Sequence, residues 1–399
     1  MPTVSMIVWN EFLNDARVLK EAQTLEAAGY QVTVHALLEP GLTYEKESIS
    51  PGINVVRVAR NPFWRFQRRI EGKHAKRSSQ SRFGQFLKLI ARSWTHLVLA
   101  IRLLFSRPDA IHAHDVNVLP TAWLAARVAR IPLVYDAHEI STSREGYKAF
   151  RSLVGGLEKR IMPRAAATIT TTAARAKFFA RAYRIPRPVV LQNRPRLIRN
   201  EPSACIREEL GLTEPWPIVL YQGGLQSGRG LPMLVRAAEH IPDAYFVFIG
   251  GGRLEAELRA LTETLGLNER VYFIRTVALA KLPSYTASAD IGVQPIENTC
   301  LNHFTTDSNK LFEYVMAGLP VVASRLPEIR RVVQAHELGL LVSPGNRGEL
   351  IAALRRLVSD SDLRTHYAAN ARNAAKTLNW ESQEQALLDL YESILHPKR

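Results

Sequence analysis

Residues 4–37, VSMIVWNEFLNDARVLKEAQTLEAAGYQVTVHAL, decide the fold. Val4–Trp9 is an apolar run of strand length. From Asp15 to Ala28 apolar residues return at three- and four-residue spacing until Gly29 stops the helix, and Gln31–Leu37 reads again as a strand. Strand, helix and strand in so short a span predict a right-handed β-α-β unit, whose parallel strands need helices on both faces of the sheet. Working outward, apolar strands recur at Asn54–Val58, Ala110–His114, Leu133–Tyr135, Thr168–Thr171 and Val189–Gln192, with helical stretches between them, one running to about Arg130 and another ending near Pro163. The polar stretch Asn193–Pro217, with four prolines, reads as a linker. The alternation then restarts at Ile218–Tyr221 and continues through Tyr245–Ile249, Val271–Ile274, Ile291–Gln294 and Val321–Ala323 before several closing helices. The expected class is α/β: two doubly wound, Rossmann-like domains, 1–195 and 196–378, facing across a ligand cleft, with a last helix in 379–399 crossing back to the first domain.

Composition narrows the partners. A chain of 399 residues with 46% hydrophobic residues can fill two cores and is not disordered. Two cysteines, Cys205 and Cys300, build neither a disulfide framework nor a zinc cluster, which fits a reducing compartment. The N-terminus shows no export signal, and the longest apolar run, Leu97–Phe105, is broken by Arg102 and too short to span a bilayer, so a cytoplasmic protein is expected. The formal charge of +15 is concentrated: between Arg60 and Arg107 twelve Lys/Arg face one acid, Glu71. There Arg65, Arg68, Arg69 and Lys73 precede a helical stripe of Phe83, Leu87, Ile90, Trp94, Leu97, Ile101 and Leu104. Such a segment suits either an amphipathic helix on an anionic membrane surface or lipid acceptor, or a core helix behind a solvated basic loop. A nucleic-acid partner is the weakest of the three, since only the overall charge favours it.

Three motifs bear chemistry. Gly223-Gly224-Leu225-Gln226-Ser227-Gly228-Arg229-Gly230 lies between a strand and a helix, where glycines and free amides admit phosphate oxygens and Arg229 adds a fixed cation. It lacks the Lys-Ser/Thr ending of a P-loop, which argues against an NTPase. A helix starting near Asp307 or Ser308 puts its amides and Lys310 at one end, with Glu313 one turn on, an arrangement for a diphosphate and a ribose; an ordinary surface Lys–Glu pair is the alternative. His112, His114 and His138 end two strands. A metal at His112 and His114 lacks a third ligand, so satisfied or cleft-lining histidines are preferred, and His138 is placed to bond a sugar hydroxyl or the reacting phosphate. Asp360-Ser361-Asp362 imitates a metal-binding Asp-x-Asp but is expected to cap a helix.

Together these segments resemble the retaining GT-B glycosyltransferases of family four, the group 1 type, over essentially the whole chain. The similarity is carried by Asn14–Leu19 with Leu25–Val32, by Tyr135–Glu139, by Tyr221–Gly224, by Arg229–Leu231 and by Asn309–Ser324. It implies transfer of a sugar, a hexose by expectation, from a nucleotide-sugar donor with retention of configuration, no metal and no other cofactor, and a lipid-linked or glycan acceptor in cell-envelope polysaccharide synthesis. By position, Arg229 would hold the pyrophosphate with Gly223, Gly224, Asn309 and Lys310, Glu313 would bind ribose, and the backbone of Phe273, Arg275 and Thr276 would meet the base. His138, the catalytic candidate, would sit beside the donor sugar. Two residues depart from the family pattern: Thr305 stands where a glutamate is usual and Gly224 where an arginine is usual, Lys310 being the candidate replacement for the lost charge. Those departures keep open a non-catalytic, membrane-associated GT-B-like scaffold, and another GT-B activity such as epimerisation of a sugar nucleotide also fits the pattern.

Overall fold

Fourteen strands in two sheets carry the architecture of the computed structural model, which describes residues 1–61, 82–143, 150–198 and 201–396. The chain divides into one unit of Met1–Thr171, Arg175–Leu191 and Glu384–Arg399, and another of Thr172–Ala174 and Gln192–Gln383. Both are Rossmann-like.

The first sheet contains β1 (Thr3–Ile7), β2 (Gln31–Leu38), β3 (Lys46–Ser50), β4 (Ile53–Ala59), β5 (Ala110–His114), β6 (Leu133–Ala137), β7 (Ala167–Thr170) and β8 (Val189–Val190), in the order β3-β4-β2-β1-β5-β6-β7-β8. Every pairing is parallel except β3 with β4. The edge hairpin β3 was not expected: KESIS is exposed along nearly its whole length and offers no apolar face to read. Right-handed crossovers from β4 through β8 place the helices Arg82–Ser106, Leu119–Ala129, Arg151–Ile161 and Ala173–Tyr183 on one face, where Leu99, Leu103, Ala122, Ile161 and Phe179 share a core with Ile7, Ile111 and Tyr135. Alternation along the strands sends His112, His114 and Asp136 to the other face, beneath helix Ala16–Ala27, which Asp15 caps by accepting from the Val18 amide. The final helix, Glu381–Leu395, lies on that face too: Thr24 donates to Glu384 at 2.7 Å and Tyr30 meets Tyr391 edge-on.

The second sheet contains β9 (Ile218–Gln222), β10 (Tyr245–Ile249), β11 (Val271–Ile274), β12 (Ile291–Gln294), β13 (Val321–Ser324) and β14 (Gly339–Val342), all parallel, in the order β11-β10-β9-β12-β13-β14. The sixth strand, β14, was also missed, being short, half-exposed and opened by a glycine. Strand order reverses between β9 and β12, and the crevice at the carboxyl ends of such a switch point is where ligands bind in this class. Asp360 accepts from the Leu363 amide at 2.8 Å and caps helix Ser361–Ala375, so the Asp-x-Asp is a helix start.

Candidate active site

In the second unit the candidate residues gather at the end of β9. Gly223 has φ +119, and a Cβ there would lie 2.7 Å from Lys310 Cε, so the glycine makes room for the lysine to lie across the loop. Gly230, φ +69, starts helix Leu231–Ala238 against the Pro295 carbonyl, where a Cβ would come within 2.1 Å. Lys310 Nζ is 5.2 Å from the centre of the Tyr221 ring, and the Tyr221 hydroxyl donates to the Gly224 carbonyl at 3.0 Å. Burial, then repulsion from Arg229, lowers Lys310 to about 7, with Glu313 opposing the shift. Among the described residues neither Arg229 nor Lys310 has an ion pair with a carboxylate. Glu313 accepts from the Gln222 side-chain amide at 2.5 Å, and Thr286 donates to the Gln222 side-chain oxygen Oε1 at 2.8 Å, which fixes the carboxylate. Tyr314 pins helix Asn309–Met316 to the sheet through the Leu220 and Val293 carbonyls. That helix opens one residue later than expected, behind Ser308 at φ +58, a left-handed conformation unusual for serine.

The side chains of Thr305 and Phe273 are already engaged within the second unit. Thr305 is buried and its hydroxyl donates to the Leu301 carbonyl at 2.7 Å. Phe273 stacks on Phe248 at 5.1 Å with Arg259 over it, so its ring packs against the layer of helix Glu255–Thr264; Arg275 is exposed beyond β11. Arg65, Arg68, Arg69 and Lys73 lie outside the described residues.

In the first unit His138 follows β6 and is backed by a buried charge network. Arg17 grips Asp136 with two bonds, Nε to Oδ2 at 2.7 Å and Nη2 to Oδ1 at 3.0 Å, and donates its Nη1 to the Leu191 carbonyl. Burial disfavours both charges, but the pair outweighs it: Arg17 is held protonated and Asp136 well below the usual carboxylate range, with His138 contributing. His138 Nε2 lies 3.0 Å from Asp136 Oδ2 and its Nδ1 3.9 Å from Asp115. Burial pulls His138 down, yet Asp136 and then Asp115 push it up to about 9, so the ring is an imidazolium at neutral pH. Behind it His112 and His114 stack at 4.2 Å, and His112 Nδ1 is 2.9 Å from the Tyr391 hydroxyl. Both are buried, which removes the cleft-lining reading. Glu21, 3.7 Å from His112, is raised to about 7 by burial, against the pull of Arg17. Glu21, His112, His114 and Asp136 hold ligand-type atoms within 4.8 Å of one another, supplying the further ligands that the sequence did not show. Arg17 already lies between the two carboxylates as their cation, 3.2 Å from Glu21.

Residues 15–194 match the family model described as a glycosyl transferase 4-like domain, and residues 204–374 the one described as glycosyl transferases group 1. The chain belongs to the family-four, group 1 glycosyltransferases. Curated relatives of this glycosyltransferase include a D-inositol 3-phosphate glycosyltransferase of Xylanimonas cellulosilytica, 26% identical over 94% of this chain and 90% of the relative. Another is a phosphatidyl-myo-inositol mannosyltransferase of Mycobacterium leprae, 27% identical over 95% and 92%. The fold matches the sucrose-phosphate synthase of Thermosynechococcus elongatus with a TM-score of 0.79 at 20% identity, each chain covered fully. It also matches Anabaena HepE, solved with UDP and glucose, at 0.74 and 19% over 98% of this chain and 100% of that one. These neighbours establish GT-B as the architecture. The residues that sequence reasoning passed over in the glycosyltransferase are Arg17, Glu21 and Gln222. The first two had a signal, since Arg17 and Glu21 stand one turn apart on the apolar face of helix Ala16–Ala27, where charges need a buried partner.

Proposed function

We propose that the enzyme transfers a hexosyl group from a nucleotide-sugar donor, with retention of configuration, to a lipid-linked or polysaccharide-precursor acceptor. The observation that carries this reading is the pair Arg229 and Lys310 beside a glycine turn at a helix N-terminus, two cations with no carboxylate partner of their own among the described residues. An anionic diphosphate meets that charge, and as it leaves the sugar the same cations and the amides of helix Asn309–Met316 stabilise its developing charge. Gly223, Gly224 and Asn309 admit and bond the phosphates, and Glu313, fixed by Gln222, accepts from ribose hydroxyls. The backbone of Phe273 and Arg275 receives the base, and Thr305 borders the sugar pocket in place of a carboxylate. His138, cationic and fixed by Asp136, serves the donor sugar as the catalytic residue. The charge supplied by Arg229 and Lys310 makes a metal or other cofactor unnecessary; unchanged turnover in chelator checks this.

For the acceptor, relatives named for inositol phosphate and phosphatidyl-inositol substrates support a polar headgroup or lipid-linked glycan. We place the enzyme in the cytoplasm, at the inner face of the membrane, without nucleic acid as partner. A thermal-shift panel of UDP-, GDP- and ADP-sugars tests the donor: one base should stabilise the protein by a logarithm of ligand over Kd. Absence of a shift with all of them would instead favour a non-catalytic scaffold. The anomeric configuration of the product, read by NMR, checks retention.

A further inference from the structure

Helix Arg82–Ser106 holds in Leu89–Ser106 a stretch long and apolar enough to cross a membrane, longer than the run Leu97–Phe105 read from the sequence. It does not stand apart from the fold, however: Thr95, Leu99 and Leu103 are buried, and Leu99 and Leu103 belong to the core shared with β1 and β5. To span a bilayer the helix would have to abandon that core. Its outer edge is the unusual part. Ile90, Trp94, Leu97, Ile101 and Phe105 follow one another at three- and four-residue spacing, between 41% and 82% exposed. Soluble surfaces carry scattered apolar residues, but a continuous stripe of this length needs a partner.

The stripe does not end with that helix. The next two helices of the same layer, Leu119–Ala129 and Arg151–Ile161, expose Leu124 and Val128, and Leu153 and Leu157, with Phe150 just before the second. No acidic side chain is exposed on these three helices: Glu158 is their one acid, and it is buried, accepting from Tyr135, Ser141 and Tyr183. The exposed charges, Arg92, Arg127, Arg151, Lys159 and Arg160, are all basic. Aliphatic and aromatic side chains whose exposed charged neighbours on these helices are all cations match an anionic headgroup layer over hydrocarbon. A second copy of the same face would set like charges against each other, and a polynucleotide would leave the apolar stripe in water.

We propose that this three-helix face docks the enzyme on an anionic lipid surface, with helix Arg82–Ser106 lying in the plane of the interface and its stripe from Ile90 to Phe105 entering the acyl boundary. This deepens the membrane placement above, giving it a surface and an orientation, and stands on observations separate from the nucleotide site. Binding therefore has an apolar component that salt does not abolish, in addition to the charge of the basic segment.

The test is flotation of the full chain with vesicles of neutral phosphatidylcholine and with vesicles containing phosphatidylglycerol. In a Cys205→Ser, Cys300→Ser background, an environment-sensitive dye is placed at Phe105→Cys, at Leu153→Cys or, as a control on the opposite face, at Glu392→Cys. The expected result is flotation with the anionic vesicles, a blue shift at positions 105 and 153 and none at 392. The triple change Leu97→Gln, Ile101→Gln, Phe105→Gln, at exposed sites, should lower partitioning at least tenfold while leaving Tm and the donor-induced thermal shift unchanged. Equal partitioning into both vesicle types, no flotation, or flotation with silent dyes at 105 and 153 would overturn the proposal. So would a concentration-dependent oligomer dissolved by the triple change, which would make the face a contact between chains. Loss of the donor shift in every variant and in the parent would count against the transferase reading instead.

Discussion

The two units treat the cations among their candidate residues in opposite ways. In the first unit His138 comes with its counter-ion inside the protein: Asp136 sits 3.0 Å away, itself clamped by Arg17, and raises the ring to about 9. In the second unit Lys310 shares its surroundings with another cation, Arg229, and falls to about 7. A cation whose charge is already met by its own protein is being positioned; two neighbouring cations with no carboxylate ion pair among the described residues are candidates to meet an anion. The difference separates a cation held in place by its own protein from a candidate ligand site, although both combine buried ionisable groups with shifted titration.

The largest effect should come from breaking the first arrangement. Arg17→Met leaves Asp136 and Glu21 buried without their cation, and stripping one partner from a buried ion pair costs about 3–5 kcal/mol. Urea unfolding should show a loss of that size; a variant as stable as the parent would mean that the network does not balance charge as described. Next is Asp136→Asn, which removes the carboxylate that holds His138 up. Asp115 is then the carboxylate still opposing burial, and His138 should titrate well below about 9, read by NMR of labelled histidine. The sign follows from linkage: the His138 contribution to stability is fully present below about pH 6.5 and is lost as pH rises through 9. In the variant that loss should shrink and move to lower pH, since Asp115 alone still raises the ring.

Much of this contrast was legible beforehand and part was not. β9, β11 and β12 are continuous apolar runs bounded by turns, so their limits could be read within a residue, and Gly223, Lys310 and Glu313 sit beside them in short motifs. The edge strands β3 and β14 lack a buried face or a continuous run, so periodicity could not find them. The Arg17–Asp136 pair joins residues 119 apart, and nothing local in either segment names the other. The stripe on helix Arg82–Ser106 was visible as a period, but only the fold decides which edge faces the core. Leu99 and Leu103 turn inward, and the outer edge runs through Ile101 and on to Phe105.

On the other side of the comparison, Lys310→Ala removes one of the two neighbouring cations. A charged hydrogen bond to phosphate contributes about 1.5–3 kcal/mol, so donor affinity should fall ten- to about a hundredfold by calorimetry, with little change in Tm. An unchanged Kd would drop Lys310 as the replacement for the arginine missing at Gly224.

The smallest effect is the most specific to the unpaired cation. Lys310 titrates near 7 in the free protein because burial and Arg229 disfavour its charge and Glu313 only partly restores it. A bound diphosphate stabilises the charged form, so binding takes up a proton. Donor affinity should be highest below pH 7 and fall roughly tenfold per pH unit above it, until the raised value of the complex is reached. The diphosphate of a sugar nucleotide does not change charge in that range, and His138 keeps its proton until about 9, so neither produces the slope. Lys310→Arg keeps a cation that does not titrate and should flatten the profile while retaining affinity at pH 8. A slope that persists in the arginine variant would assign the proton to another group and remove Lys310 from the contrast.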